Sequence, residues 1–469
     1  MLRKQQALHL GLILVSTLVV YLQVAQHHFV WDTIPFVLEN PWLRDPDLAD
    51  FWAMTTRAHH ANWQPLVWYS HALDFFLFGE HPAGHHLMNV GLHLVNACLV
   101  YFLVLQLLSL PQPAAGWIAC LTALGFALHP QHVESVAWVV ERKDVLYSIF
   151  TLGCYLVYLH SRRERSRRAG VVAWLLFVLA LMAKPMAVTV PAILILLDLA
   201  PLRRFELSAR DLLRAVLEKM HYFLLSLAVA LITLQTQAMA MPEALPLWVR
   251  ALNALHNTWF YVACYLYPVN LSPFYPFPTM AEMLAPGFLL VGALFFVTAT
   301  ASALVAWVRG YRWPLVLLGF YLVTLLPVSG LVHVGPAKAT DHYVYLATLP
   351  LSLLLPLFGY WILQQVPRAR AAVFGLGITY FLALGALTNL QVEVWRNPLT
   401  LWTRVVQLYP EAAMAHRNLA AVYLSMGETD LALEHARLAA SQGGEPARAY
   451  LDALLRELGA GQARQGSIQ

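Results

Sequence analysis

Asp32 lies just past the first membrane-length apolar run, Leu8–Val24, in the sequence Phe29-Val30-Trp31-Asp32-Thr33-Ile34-Pro35. A carboxylate at that depth, in a polar loop rather than inside a span, is suited to take a proton from a hydroxyl held at the membrane surface. The chain has five lysines, and three of them, Lys143, Lys184 and Lys338, fall in loops on the side of Asp32. Cations kept there, against the usual preference of Lys and Arg for the opposite face, point to an anionic ligand. A phosphate departing from a transferred group needs such charges. Arg142 offers a forked donor set, and the lysines offer point charges. Structural readings stand beside these. Asp32 could cap a helix, the Glu141-Arg142-Lys143-Asp144 run could pair with itself at the interface, and Lys184 could snorkel from a span end.

The other dense polar motifs occupy the same loops. Asn62-Trp63-Gln64-Pro65, Ser70-His71 with Asp74, and Gly84-His85-His86 lead into the second span, where His86, Asn89 and His93 share a helical face. Next come His129-Pro130-Gln131-His132 and Glu134, and a last loop runs from Gly335 through Asp341-His342 to Tyr343. Glu134, Glu141 and Asp144 could orient the lysine and arginine cations or the acceptor. Asn62, Trp63, His71, His85, His86, His129, His132, Glu141, Asp144, Asp341 and His342 are candidates to hold the transferred group or its acceptor. Pairs such as His81/His85 and His129/His132 invite a metal. No HExxH or comparable spacing accompanies them, so no metal and no other cofactor is expected. A Gly-rich phosphate loop is also absent, which argues against a nucleotide donor, and no nucleic-acid partner is expected.

The elements that must position these residues are membrane helices. The 469 residues are 59% hydrophobic and 12% charged, with a net charge of +4 and a mean hydropathy of +0.59. Such a composition needs a bilayer as solvent. Apolar runs at Leu8–Val24, Leu87–Leu108, Ala115–Leu128, Val145–Leu159, Val171–Ala183, Ala187–Ala200, Phe223–Met241, Gly287–Val308, Trp313–Leu331, Tyr343–Leu363 and Ala371–Leu390 predict about eleven spans. Arg162–Arg168, Arg203/Arg204, Arg309/Arg312 and Arg368/Arg370 mark the cytoplasmic loops, with the N-terminus inside and the first span uncleaved. Leu255–Tyr267 fits that alternation only as a re-entrant or interfacial helix. Cys98, Cys120, Cys154 and Cys264 read as small buried hydrophobes. The fold expected is therefore an all-α polytopic bundle over 1–390 with a large first outer loop. A helical domain follows over 391–460, with a disordered tail at 461–469. In that domain Leu419, Ala420, Tyr423, Gly427, Ala432, Ala436 and Ala439 follow tetratricopeptide (TPR) spacing.

Taken in order, these motifs resemble the transmembrane-and-TPR (TMTC-type) family of GT-C glycosyltransferases. The resemblance rests on Trp31-Asp32, Asn62-Trp63, His71 with Asp74, Gly84-His85-His86, His129-Pro130, Glu134 to Trp138, Glu141 to Asp144, Lys184-Pro185 and Asp341-His342, then Trp395 with Asn397. It implies an inverting enzyme that moves a hexose such as mannose from a polyprenyl-phosphate donor to a protein Ser/Thr hydroxyl or another periplasmic acceptor. Asp32 would be the base. Eukaryotic members carry an acidic pair where this chain has Asp32-Thr33, so the second carboxylate would come from Glu134 or Asp74. The short arrangement resembles bacterial members, which implies undecaprenyl phosphate as carrier, the inner membrane as location and the periplasm as the reaction side. A flippase of a lipid-linked sugar would place polar residues throughout the spans, and a TPR scaffold would need no such loops.

Overall fold

The computed structural model describes residues 2–240, 245–332, 335 and 337–466. Five helices among them are long and apolar enough to cross a membrane: Arg3–Gln26, Pro82–Leu107, Met220–Gln237, Pro286–Val308 and Pro367–Val394. Shorter apolar helices fill Ala114–Ala127, Pro185–Leu199 and Trp313–Val328. Arg142–Arg163, Arg167–Ala183 and Leu349–Gln365 are helical over three more of the apolar runs.

Local chemistry sets many of the helix starts. Proline opens Pro65–Phe78, Pro82–Leu107, Pro286–Val308 and Pro398–Leu408, where its missing N–H costs nothing. Ser166 caps the helix that follows it by accepting from Ala169 N, and Asn397 accepts from Thr400 N in the same way.

Helix Pro82–Leu107 is the central post. One stripe of it, including His86, Asn89, Val90, His93, Asn96, Ala97, Val100 and Val104, is buried. Its polar members tie neighbours together in a medium where an unpaired polar group is costly. Asn89 Nδ2 donates to the Trp138 carbonyl (3.2 Å) and Asn96 Nδ2 to that of Val145 (2.7 Å). His93 bridges Tyr345 OH (2.6 Å) and the Ala127 carbonyl (3.0 Å).

A two-stranded antiparallel pair, Tyr275–Pro276 with Ala337–Ala339, pins the loop that carries Asp341 and His342. The segment Leu255–Tyr267 lies mostly in a longer helix, Leu247–Leu266, which buries Asn253 and Asn257 against the Lys338 carbonyl (3.1 and 2.9 Å). Pro336, inside the last polar loop, lies outside the described residues.

The C-terminal helices are Pro398–Leu408, Ala413–Ser425, Thr429–Gln442 and Glu445–Gly466. Ala415, Ala420, Ala432, Ala436 and Ala439 are fully buried, and small side chains of this kind let helix backbones approach closely. Gly427 makes the turn between the second and third helices with φ 83°, a conformation glycine adopts without strain. The last helix runs into the segment expected to be disordered, and residues 467–469 lie outside the described ones. Trp395 and Trp402 are buried where this domain meets the polar loops.

Candidate active site

Trp31 fixes the place of Asp32. Its ring stacks on Trp138 (4.9 Å, 7° between planes) and meets Trp402 edge-on at 4.9 Å. Its φ is 50°, rare for a bulky side chain, so the packing of three tryptophans holds a strained backbone next to the carboxylate. Asp32 itself is half-buried, and its carboxyl makes no hydrogen bond or ion pair among the described residues. Burial pushes its pKa above the ordinary value of 3.8, and Lys143 partly offsets that while Glu141 adds to it. An available carboxylate with raised basicity is what abstraction of a hydroxyl proton requires.

Beside it sits a buried ionic cluster built from four loops. Lys143 Nζ is 2.8 Å from Glu141 Oε1. Lys184 Nζ bonds Asp144 Oδ1 and stands 3.9 Å from Glu141 Oε2. His342 Nδ1 contacts Glu134 Oε1 at 2.7 Å, and its Nε2 is 3.7 Å from Glu141 Oε2. The Asp341 backbone N–H donates to Glu134 Oε2 (3.0 Å), while Tyr275 OH donates to the Asp341 carboxylate (3.0 Å). Burial would raise the pKa of Glu141, but His342, Lys143 and Lys184 outweigh it and hold this carboxyl well below the usual range. Glu134 goes the other way, raised by burial and then by Asp341 and Glu141. Burial also lifts Asp341 to about 7, and it pushes His342 well below the ordinary histidine value. Carboxyls of opposite protonation tendency are thus packed side by side.

A cavity of about 260 Å³ opens from this cluster. Lys143, Lys184 and His342 line its polar end, with Asn62, Trp63 and Gln64 from the first loop. Its other wall is mostly apolar, with Met186, Val188 and Val328, and a membrane-length helix adds Ala230 and Leu234 together with the polar Thr233, Thr236 and Gln237. One end suits an anion and the other a hydrocarbon chain.

Arg142, the neighbour of Lys143, is turned away from this cavity. It is fully buried and its donors are occupied. Nε bonds Asn89 Oδ1, Nη1 donates to Ser70 Oγ (2.7 Å), and Nη2 donates to Asp74 Oδ2 (2.6 Å) and the His85 carbonyl (2.9 Å). His71 and His85 stand 3.7 and 3.4 Å from the same Asp74 oxygen. Lys338 lies over the Phe260 ring at 4.5 Å and is not part of the cavity lining.

Besides His85, which binds the Gly79 carbonyl (2.9 Å), three of the predicted histidines bind backbone carbonyls. They are His86 to His28 (3.3 Å), His129 to Tyr265 (2.9 Å), and His132 to Phe126 (2.7 Å), the last also reaching Thr348 Oγ1 (2.9 Å). Two groups bring potential metal ligands within 4.8 Å of one another: Glu141, Asp144 and His342, and His71, Asp74 and His85. In each a carboxylate already holds a cation, Lys184 on Asp144 and Arg142 on Asp74, and that cation would compete with a metal.

No family model and no solved structure matches the chain. Curated proteins do. Protein O-mannosyl-transferase Tmtc1 of Drosophila melanogaster is 32% identical over 179 residues, which are 36% of this chain and 20% of that protein. Protein O-mannosyl-transferase TMTC4 of Mus musculus is 28% identical over 216 residues, 41% and 29% of the two chains. Protein O-mannosyl-transferase TMTC1 of Homo sapiens is 32% identical over 142 residues, 28% and 16%. The chain is similar to TMTC-type protein O-mannosyl-transferases over about a third of its length. The matched stretches cover less than a third of each of these three relatives.

In this chain, sequence reasoning missed the cavity's wall on helix Met220–Ala240. Thr233, Thr236 and Gln237 also line it from helix Met220–Ala240. Their i, i+3, i+4 spacing, at the polar end of a mostly apolar helix, was the available signal. Tyr343 at the polar end, and Tyr275 and Gln131 around Asp341, carried no spacing that set them apart.

Proposed function

We propose that this protein is a membrane glycosyltransferase that moves a hexose, mannose-like, from a polyprenyl-phosphate donor to a hydroxyl of a protein acceptor. The observation that carries the reading is the cavity, in which two lysines stand at the polar end and a mostly apolar wall continues to a membrane-length helix. The names of the relatives support a protein acceptor and a sugar donor.

In the proposed reaction the acceptor oxygen attacks the anomeric carbon, the bond from that carbon to the phosphate oxygen breaks, and the phosphate leaves with the electron pair. The acceptor proton passes to Asp32. A single displacement of this kind inverts the anomeric centre. Lys143 and Lys184 receive the developing phosphate charge, oriented by Glu141 and Asp144. Glu134 positions His342 at the cavity head, and Asn62, Trp63 and Gln64 face the sugar. Arg142 and Asp74 act as a structural pair that holds the helix carrying Lys143.

The helices Arg142–Arg163 and Arg167–Ala183 lead from this site to the arginine-rich run. The first has 22 residues, about 33 Å, which is a bilayer's hydrocarbon thickness. That length supports counting both helices among about eleven spans of a GT-C type bundle. The site would then face the periplasm of a bacterial inner membrane. The C-terminal helices, read as TPR-like, lie on the same side, because Trp402 touches Trp31. They would present the acceptor. Charged groups gather at the two ends of the bundle rather than along a path through it, which favours surface chemistry over lipid flipping.

The reading is tested by transfer from a polyprenyl-phosphate hexose in proteoliposomes across pH. Only ionised Asp32 can accept the proton, and burial raises its pKa above 3.8. The rate is therefore expected to fall on acidification through a limb lying above the range of a free aspartate. A rate that stays flat down to the range of a free aspartate would remove Asp32 from the base role, and no transfer at any pH would sink the proposal.

A further inference from the structure

A second cavity, of about 920 Å³, lies at the far end of the same two helices. It is lined by Arg162, Arg163, Arg165, Arg167 and Arg204, with no carboxylate among its lining residues. Glu164 sits between Arg163 and Arg165 in sequence and offsets one of these charges, and the two buried-side carboxylates are already matched. Asp198 accepts from Tyr158 OH (2.9 Å), Lys219 Nζ (2.5 Å) and Arg204 Nη1 (3.0 Å), and Glu218 pairs with Arg162 (2.5 Å) and Arg204 (3.2 Å). That leaves Arg163, Arg165 and Arg167, less the charge of Glu164, as surplus positive charge around the opening. Arg163 donates to the Gln106 carbonyl (2.6 Å), which holds its guanidinium in place.

Two donors on the lining residues, Arg162 Nε and Trp174 Nε1, are buried without a hydrogen-bond acceptor. Such groups are rarely left unpaired, and phosphate oxygens are strong acceptors for them. One wall is apolar, made by Val171, Trp174 and Leu202, and Val171 is 59% exposed on the bundle's outer surface. A free anion has no use for that wall, whereas a lipid headgroup with its acyl chains does.

We infer that this cavity binds the headgroup of an anionic phospholipid, on the face of the bundle opposite the candidate active site. The arginines would contact the phosphate, and the apolar wall would contact the glycerol and the first methylenes. Basic clefts between membrane helices suit such headgroups, and each arginine near an anionic surface contributes a factor of about five in affinity. The inference does not rest on the transferase reading, because none of these residues belongs to the proposed machinery.

The test is native mass spectrometry of the full chain released from nanodiscs holding equal phosphatidylcholine and phosphatidylglycerol. The native chain should retain phosphatidylglycerol preferentially. Arg163→Gln/Arg165→Gln/Arg167→Gln should lower that retention roughly a hundredfold, three arginines at a factor of about five each. Arg165→Glu, at an exposed turn position, should shift it the same way by a smaller amount, so misfolding of the triple variant cannot decide the result. Equal retention of both lipids by the native chain, or native-like retention by both variants, would overturn the inference. Displacement of phosphatidylglycerol by inorganic phosphate would overturn the lipid as occupant and leave a free-anion site.

Discussion

Asp32→Asn is expected to lower sugar transfer by about 10²–10⁴-fold, the usual contribution of a positioned general base. The substitution keeps the shape of the side chain and removes only its capacity to take a proton. It should leave folding intact, because the Asp32 carboxyl makes no hydrogen bond or ion pair among the described residues and Trp31 supplies the packing. Thermal melts of the two proteins in the same detergent should therefore superimpose. A variant that folds normally and keeps more than about a tenth of the native rate would move the base role elsewhere. Glu134 is then the next carboxylate to examine, since it shares a contact with His342 at the cavity head.

The second large effect is on stability. Arg142→Met removes the cation from Asp74, which is completely buried and lies 2.6 Å from the guanidinium. Breaking a buried pair by deleting one partner costs about 3–5 kcal/mol, because the remaining charge keeps only His71 and His85, at 3.7 and 3.4 Å, in place of a cation. The Asn89, Ser70 and His85 acceptors lose their donor as well. Arg142→Lys should recover little of this, since one ammonium cannot reproduce a fork that reaches four partners. Removing both charges, as in Arg142→Met/Asp74→Leu, should restore much of the stability. Denaturant or thermal unfolding in detergent reads the series, and a single variant as stable as the native chain would contradict the structural role. Transfer activity should follow the folded fraction in these variants rather than drop independently of it.

These two residues also mark how far the sequence could be read. The place of Asp32 in a half-buried loop was legible because it comes shortly after an apolar run. That Lys143 and Lys184 lie on one side of the bundle was legible from their loops, and the structure brings both to one cavity. The division of labour within Glu141-Arg142-Lys143-Asp144 was not. Successive residues at a helix start are rotated by about 100°, so neighbours in sequence face different surroundings. Arg142 points at Asp74 and Asn89, Lys143 faces the cavity, and Asp144 meets Lys184.

Lys338 looked equivalent to the other two lysines. The pairing of Ala337–Ala339 with Tyr275–Pro276 instead carries it toward Phe260. The histidines were the least readable. A ring nitrogen that holds a backbone carbonyl across two loops and one that contacts a substrate have the same spacing in the chain. The helical architecture was easier, because hydropathy sets it element by element. The lengths of single helices depended on where prolines and caps fall.

In the proposed reaction a lipid-linked phosphate, and not a nucleotide, delivers the sugar. The direct measurement supplies proteoliposomes of the purified chain with an acceptor extract and radiolabelled mannose in one of two forms, polyprenyl-phosphate mannose or GDP-mannose. Label on protein from the lipid form alone, lost with Lys143→Gln/Lys184→Gln, is the predicted result. Equal labelling from GDP-mannose, or labelling from the lipid form untouched by loss of both lysines, would contradict it.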